Sequence, residues 1–471
     1  MEFFADYTMT TGGAAVSAPS TFDVVNPANA QVFAAAPDCS PEQLDLAVQA
    51  ARDAFPAWAA VPLDERRDRV RGLARAIMEA AEPLKRLLTM EQGKPHADAE
   101  GEVMGAGLMM QAYTGLDLPT AVAEDTAEHR VETHRVPLGV VAAIVPWNYP
   151  LILAAFKLGP ALLAGNTVVL KPSPYTPLST LKIGELARSI LPPGVLNVVS
   201  GGDALGPWMT AHPGIDKVSF TGSAATGKRV MAGAAGTLKR MTLELGGNDA
   251  AIVLPDIDIE TVAPQLFWSA FANNGQICIA TKRLYVHEDI YEPLAAAIAR
   301  YARTVKVGDG ALQGTQIGPI NNRAQFDRVR DLIADARDNG FKFLLDGRSP
   351  DGPGYFVPIT LIDDPPEDSR IVQEEQFGPV LPLLRFRDVD DVVARANRGE
   401  NGLAGSVWSA DTEKATAIAR RLATGTVFIN KVQYLSPLAP FGGHKQSGFG
   451  VENGVEGLLG YTNAQTFVTA K

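Results

Sequence analysis

At 471 residues the chain is too long for a single hydrophobic core, so two or three domains are expected. A formal charge of −11 argues against a nucleic-acid partner, because neutralising phosphates takes a basic surface. Two cysteines, Cys39 and Cys278, cannot build a disulfide framework and fit a reducing compartment; together with the six histidines they match no metal-binding spacing.

The N-terminus is acidic and lacks the charge and apolar core of a signal peptide. Residues 21–25 read as a strand leading to Asn26-Pro27. Residues 41–58 carry Leu44, Ala47, Val48, Ala51 and Phe55 at helical spacing, with Ser40 as N-cap and Pro41 in the first turn. Helix continues over 63–88, where Arg66, Arg67, Asp68, Arg69 and Arg71 are expected on a solvated face, and again over 97–116. The most apolar stretch, 136–165, is interrupted by Pro146, Asn148, Pro150 and Lys157 before roughly 20 apolar residues accumulate. It is expected as buried core and not as a membrane span, and a cytoplasmic location is the default.

Residues 129–134 alternate in the manner of an exposed strand. The runs 139–145 and 167–170 are continuous and rich in β-branched residues, as in parallel strands covered on both faces, and a helix over 151–163 separates them. Shorter runs at 195–199 and 217–220 extend the rhythm. From 247 the pattern restarts, with strands at 250–254, 283–286, 405–408 and 425–429. Helices at 261–273, 291–305 and 325–339 lie between them, the last with Gly340 in the C′ position. The expected fold is α/β, with two doubly wound parallel-sheet domains. Residues 464–470 have strand character and are free to pair with another subunit's sheet edge.

Cys278 sits in Phe271-Ala-Asn-Asn-Gly-Gln-Ile-Cys278-Ile-Ala280, just after a small polar turn. The thiolate is the reactive form of cysteine, and apolar burial works against it, so a nucleophile there needs a base or donor from elsewhere. Taken singly, a cysteine in an apolar run is most often inert core. Glu244, in Leu243-Glu244-Leu-Gly-Gly247, is a candidate base, since a carboxylate at an apolar strand end is costly to bury without a partner or a task. Loops at the carboxyl ends of the predicted strands carry Trp147-Asn148, Lys171-Pro-Ser173, Gly201-Gly202 and Thr221-Gly222-Ser223, the edge where open α/β sheets bind ligands. The Asn148 amide is either a structural hydrogen bonder or a donor aimed at a reacting oxygen. Lys171 suits a ribose hydroxyl or a phosphate, or a snorkelling surface position. The glycine turn after Phe220 suits a phosphate, or a plain helix cap.

Seven motifs stand in family order and at family-like separations: Pro146-Trp-Asn-Tyr-Pro150, Leu170-Lys-Pro-Ser173, Phe220-Thr-Gly-Ser223, Leu243-Glu-Leu-Gly-Gly247, Gly275-Gln-x-Cys278, Glu375-x-Phe-Gly-Pro379 and Pro440-Phe-Gly-Gly443. Through them essentially the whole chain resembles the non-acylating, NAD(P)-dependent aldehyde dehydrogenase superfamily. The resemblance implies that Cys278 attacks an aldehyde to form a thiohemiacetal and then a thioester. Asn148 and the backbone N–H of Cys278 would form the oxyanion hole, and Glu244 would activate the hydrolytic water. Lys171 and Glu375 would hold ribose hydroxyls of NAD or NADP, Phe377 would pack near the nicotinamide, and Ser223 with Trp147 would contact the pyrophosphate. Val145, Pro146, Ser173, Gly202, Phe220, Gly222 and Leu245 would complete the cofactor site.

The resemblance also implies a dinucleotide-binding domain (1–118, 138–246 and 446–458), a catalytic domain (247–445) and oligomerisation strands (119–137 and 459–471) of a homodimer or homotetramer. Tyr149, Leu153, Phe156, Ile277, Ile279, Leu435 and Phe441 match the substrate channel. They are apolar and offer no arginine for a carboxylate, so a medium-sized aliphatic or aromatic aldehyde is expected, with Lys431 and Gln433 near the mouth. A coenzyme-A-acylating relative, a non-catalytic binding protein on the same scaffold and a cofactor-independent thiol hydrolase are the alternatives. The chain departs from the pattern at Pro174, where many NAD-preferring relatives carry an acidic residue that repels a 2′-phosphate. Cofactor preference is therefore expected to be relaxed with NAD slightly favoured, and steady-state kinetics with both cofactors should show less than about a hundredfold preference.

Overall fold

In the computed structural model, which describes residues 3–471, the buried apolar runs form the centres of two large sheets. The first has eight strands. Its centre is parallel, in the spatial order Leu196–Val198, Thr167–Lys171, Val140–Ile144, Lys217–Thr221 and Arg240–Glu244. Register brings the carboxyl ends level: Ile144 pairs with Lys171 and with Phe220, and Thr221 pairs with Glu244. Every loop that follows these strands therefore opens on one edge. Met9–Thr11 and Ala14–Val16 close one side antiparallel, and Gly448–Phe449 returns from late in the chain to pair antiparallel with Arg240–Glu244.

The second sheet has seven strands. Thr360–Asp363, Val380–Phe386, Thr281–His287, Asp249–Val253, Ala404–Trp408 and Thr426–Ile429 are parallel, and Lys342–Asp346 is antiparallel at the edge. Alternation along Asp249–Val253 sends Ala251 and Val253 into one core with Phe267 and Tyr291, and Ile252 into another with Leu332 and Ile371. Residues 245–248 alone separate the last central strand of the first sheet from Asp249–Val253. The carboxyl edge of one sheet thus abuts the amino edge of the other, and Cys278, just ahead of Thr281–His287, lies at that junction.

The region expected as one helix over 63–88 is two, Leu63–Glu79 and Ala81–Gln92, broken at Ala80. Pro83 in the first turn of the second helix has no N–H to continue the ladder. Nor is its arginine face simply solvated. Arg66 is buried, donating to the Ala59 carbonyl at 3.3 Å and lying against Gly165. Arg67 reaches Leu116 O at 2.8 Å and Arg69 reaches Ile190 O at 3.1 Å. Periodicity reports where a Cβ points, and a long side chain can still end elsewhere. Gly340 follows the helix Arg323–Asp338 with φ +71°, as a C′ glycine should.

Ala121–Asp125, His129–Pro137 and Thr462–Ala470 form a separate antiparallel flap. Thr462–Ala470 was expected to be available to another subunit; it pairs along its whole length with His129–Pro137 of its own chain, so its outer edge alone stays open. No helix among the described residues is long and apolar enough to cross a membrane.

Candidate active site

The helix Ile259–Phe271, capped by Asp258, delivers the cysteine loop. It ends in a tight turn in which Asn273, Asn274 and Gly275 all have positive φ, at 48°, 59° and 73°. Asparagine and glycine are the residues that tolerate this region, which explains the polar turn read from the sequence. A Cβ on Gly275 would strike the Gly378 carbonyl, so the turn packs directly on the loop bearing Glu375 and Phe377. Gln276 pins the turn, accepting from Asn321 N at 2.9 Å and donating to Asn273 O at 2.9 Å.

The Asn148 loop is held from behind. Its carbonyl accepts from Lys94 Nζ at 3.0 Å and from Asn273 Nδ2 at 3.1 Å. Its side-chain Nδ2 donates to Gln276 O at 2.9 Å, leaving the second amide hydrogen for another acceptor. Lys94 is fully buried against Glu102, whose other oxygen accepts from Leu151 N at 2.8 Å. Glu102 therefore caps the helix Pro150–Leu163, which has no side-chain cap of its own, and favours its positive end. The Lys94 ammonium also sits 3.6 Å from the centre of the Tyr149 ring.

Glu244 ends its strand 3% exposed, and neither carboxylate oxygen has a hydrogen-bond partner. Burial raises its pKa well above the usual carboxylate range, nearby Glu452 adds to the rise, and Lys157 opposes it. Lys157 and Glu452 are themselves a buried pair at 2.5 Å, and Lys157 donates to Thr221 Oγ1 at 2.8 Å. The Cys278 thiol is pushed up to about 12 by burial; Lys282 opposes this, while Asp249, Glu375 and Glu244 reinforce it.

A cavity of about 460 Å³ opens at the junction. Cys278, Asn148, Trp147 and Pro146 line it with Leu153, Gly222, Ser223, Leu245, Glu375 and Phe377. Glu375 accepts from Gly247 N at 3.0 Å, and Gly246 leaves room for its carboxylate. The Trp147 and Phe377 rings meet edge to face at 5.4 Å. Phe377 has φ +52°, a conformation costly for an aromatic residue. Gln325 stabilises it by donating to the Gln376 and Phe377 carbonyls at 2.9 and 3.0 Å.

Other expected site residues lie beyond this lining. Lys171, 5% exposed and lowered to about 8 by burial, donates to Pro172 O at 3.2 Å with Asp203 and Asp38 nearby. Gly202 N donates to Asp38 at 3.1 Å, and Ser173 Oγ accepts from Tyr175 N at 3.3 Å. These stand farther along the same sheet edge, in the order Gly202, Lys171, Trp147 and Gly222 set by the strands that precede them, and the cavity at the thiol begins at Trp147. Val145 and Phe220 are buried. Ile277, Ile279 and Phe441 form one apolar cluster, with Tyr149, Leu435 and Cys278 packed against it. Phe156 is instead buried in the core of the first sheet.

Sequence reasoning passed over Lys94, Glu102, Lys282, Glu452, Gln325 and Arg328. Glu102 and Glu452 carried no distinct signal: Glu102 follows Asp98 and Glu100, and Glu452 sits in a polar, glycine-rich stretch with Asn453 and Glu456. Gln325 and Arg328 read as ordinary helix surface, and only the tertiary fold turns them to the cavity.

A doubly wound sheet whose carboxyl-edge loops open on a cavity lined by a cysteine places the chain in the ligand-binding α/β class. The family follows from comparison: residues 15–467 match the model of the aldehyde dehydrogenase family, and the chain belongs to that family. It is 40% identical over 452 residues to an aldehyde dehydrogenase of a Fusarium species, covering 96% of each chain. It is 37% identical over 446 residues to the NADP(+) succinate-semialdehyde dehydrogenase of Escherichia coli, covering 93% of this chain and 92% of the relative. The solved NAD+ complex of the Bacillus cereus aldehyde dehydrogenase superposes with a TM-score of 0.97 at 36% identity, covering 99% of this chain and 97% of the other.

Replacing Lys94 by Met should leave Glu102 as an unpaired buried charge and remove one of the two donors that hold the Asn148 carbonyl. A loss of about 3–5 kcal/mol is expected in denaturant unfolding, with a steeper loss of aldehyde oxidation in the protein that still folds.

Proposed function

We propose that the protein oxidises an aldehyde to its carboxylic acid with NAD or NADP, through a covalent adduct on Cys278. The observation that carries this is the cavity itself, where the thiol, the Asn148 amide, Glu375 and Phe377 converge with the unpaired Glu244 carboxylate close by. The row of loops along the sheet edge suits an extended dinucleotide: a buried lysine at one end, the N-terminus of the helix Ala224–Ala234, and the paired aromatic rings of Trp147 and Phe377 in the cavity. Lys171, Ser173, Gly202, Ser223, Trp147, Glu375 and Phe377 would hold it, and the bound nicotinamide supplies the hydride acceptor.

The rest falls to the chain. Cys278 Sγ forms the bond to the carbonyl carbon, and the thiol proton passes to a base, for which Glu244 is the unpaired carboxylate at hand. The free hydrogen of Asn148 Nδ2 and the Cys278 N–H stabilise the oxyanion, and losing such a donor typically costs ~10²–10³ in rate. Oxidation leaves a thioester on Cys278. Glu244 releases the thiol proton to solvent once the thioester has formed, then takes a proton from water as the water oxygen attacks the thioester carbon. The C–S bond breaks with sulfur leaving as thiolate, which regains a proton from Glu244, and the acid leaves. A retained carboxylate at 244 favours water over coenzyme A as the acyl acceptor.

The apolar cluster beside Cys278 supports an apolar aldehyde. Lys431 lies over the Tyr434 ring at 4.7 Å and Gln433 donates to Ser269 O at 2.8 Å, so both are engaged away from the thiol. Asp38 and Asp203 beside Lys171 put negative charge where Pro174 supplies none, which supports the lean toward NAD. The flap, with Val122 and Val468 exposed on its outer strands, is the surface we assign to association of two or four copies.

In an aldehyde panel followed by absorbance of the reduced nicotinamide, hexanal and benzaldehyde should exceed succinic semialdehyde in kcat/KM; the reverse order removes the apolar assignment.

Cys278→Ala should abolish turnover. Glu244→Gln should retain a burst of reduced cofactor but lose about 10²–10⁴ in steady turnover. A base must be unprotonated, and burial raises the pKa of Glu244, so wild-type kcat should climb as pH rises through it. That limb should vanish in Glu244→Gln.

A further inference from the structure

Lys282 has no part in the steps above, yet few groups near the thiol are more constrained. Its Nζ donates to the carbonyls of Ile277 at 2.9 Å, Cys278 at 2.5 Å and Ala280 at 3.3 Å. It also lies 3.6 Å from Glu375 Oε1, and its side chain is 3% exposed. The next residue on the strand, Arg283, points the other way and serves the Asn248 and Ala396 carbonyls.

Three carbonyls take the three hydrogens of an ammonium, but neutral donors would satisfy them without the cost of burying a charge. The surrounding charges give the cation a use. Asp249, Glu375 and Glu244 all act on Cys278 to disfavour a negative sulfur, and Lys282 is the cation that opposes them. Lys282 and Arg283 both act electrostatically on Asp249, Lys282 the more strongly, while Arg328 acts on Glu375.

We propose that Lys282 is a positioning residue for Cys278: its ammonium gathers the loop carbonyls behind the sulfur and supplies the positive charge that favours the thiolate there. The inference rests on Cys278 as nucleophile. Because the same ammonium pairs with Glu375, it also ties the nucleophile loop to the wall that holds the cofactor.

Alkylation by iodoacetamide, in which the thiolate displaces iodide, tests this without aldehyde or cofactor. Rates across pH are read by peptide mass, so that Cys39 is counted separately. Lys282→Gln and Lys282→Met remove the charge, either sufficing if the other does not fold, and Lys282→Arg keeps it. The neutral variants should react about tenfold more slowly at Cys278 at a fixed pH, with the profile displaced upward about one unit. Lys282→Arg should stay within about threefold of wild type. A neutral variant that matches wild type overturns the proposal, as does an arginine variant that falls as far as the neutral ones. Retained aldehyde turnover in Cys278→Ala would instead remove the nucleophile assignment, independently of these rates.

Discussion

The structure depends on one short connection. Residues 245–248 carry the chain from the carboxyl edge of one parallel sheet to the amino edge of the next. The two edges are therefore pressed together, and side chains that end or begin those strands are shut away from water. Glu244, Asp249 and Lys282 are all within 5% of full burial as residues. Parallel sheets gather their loops at one edge, and here that edge faces a second domain instead of solvent. Gly246 and Gly247 are needed because any Cβ there would strike Glu375 or the cysteine loop.

Charges buried at such a junction must be paired or neutral. Three lysines show how this is met. Lys94 joins Glu102 behind Asn148, Lys157 joins Glu452 behind Glu244, and Lys282 joins Glu375 beside Cys278. Asn148, Glu244 and Cys278 thus each have a lysine–glutamate pair nearby whose lysine fixes a loop through carbonyl or hydroxyl contacts; the first two pairs are buried, while Glu375 stays partly exposed. Removing one partner of such a pair costs more than the pair contributes, so these residues bind the fold and the site into one unit. The strained Phe377, stabilised by Gln325, belongs to the same economy of constraint.

Much of this was legible from the sequence, and the rest was not for identifiable reasons. Runs such as 139–145 and 167–170 announced themselves because parallel strands are apolar on both faces. Of Arg240–Glu244 only the apolar end at Glu244 was legible, because Arg240 is exposed, Met241 is half-buried and only Thr242 to Glu244 are buried. Asn273 and Asn274 marked a turn through their residue type, yet nothing local indicated that the turn would pack on Gly378, more than a hundred residues away in sequence. Cys278 and Glu244 were found through their motifs. Lys94 and Glu452 were not, because a single charged residue shows its burial only once the distant elements meet. Arg66 failed in the opposite sense: helical spacing put it outside, and a long side chain folded it back in.

The same burial orders the chemistry. Desolvation raises both the thiol and the Glu244 carboxyl, and the Glu244 charge adds to the cost of ionising the thiol. The cavity therefore tolerates little net negative charge at once, and the two groups are best used in succession. In the mechanism proposed above, a Glu244 that is protonated while charge resides on sulfur and then on the substrate oxygen avoids repelling it. Once the thioester has formed and sulfur is neutral, the carboxylate can ionise and draw a proton from water. On that proposal a nucleophile and a base in one closed site need not compete, because Lys282 favours ionisation of the first and Lys157 that of the second, each in its turn.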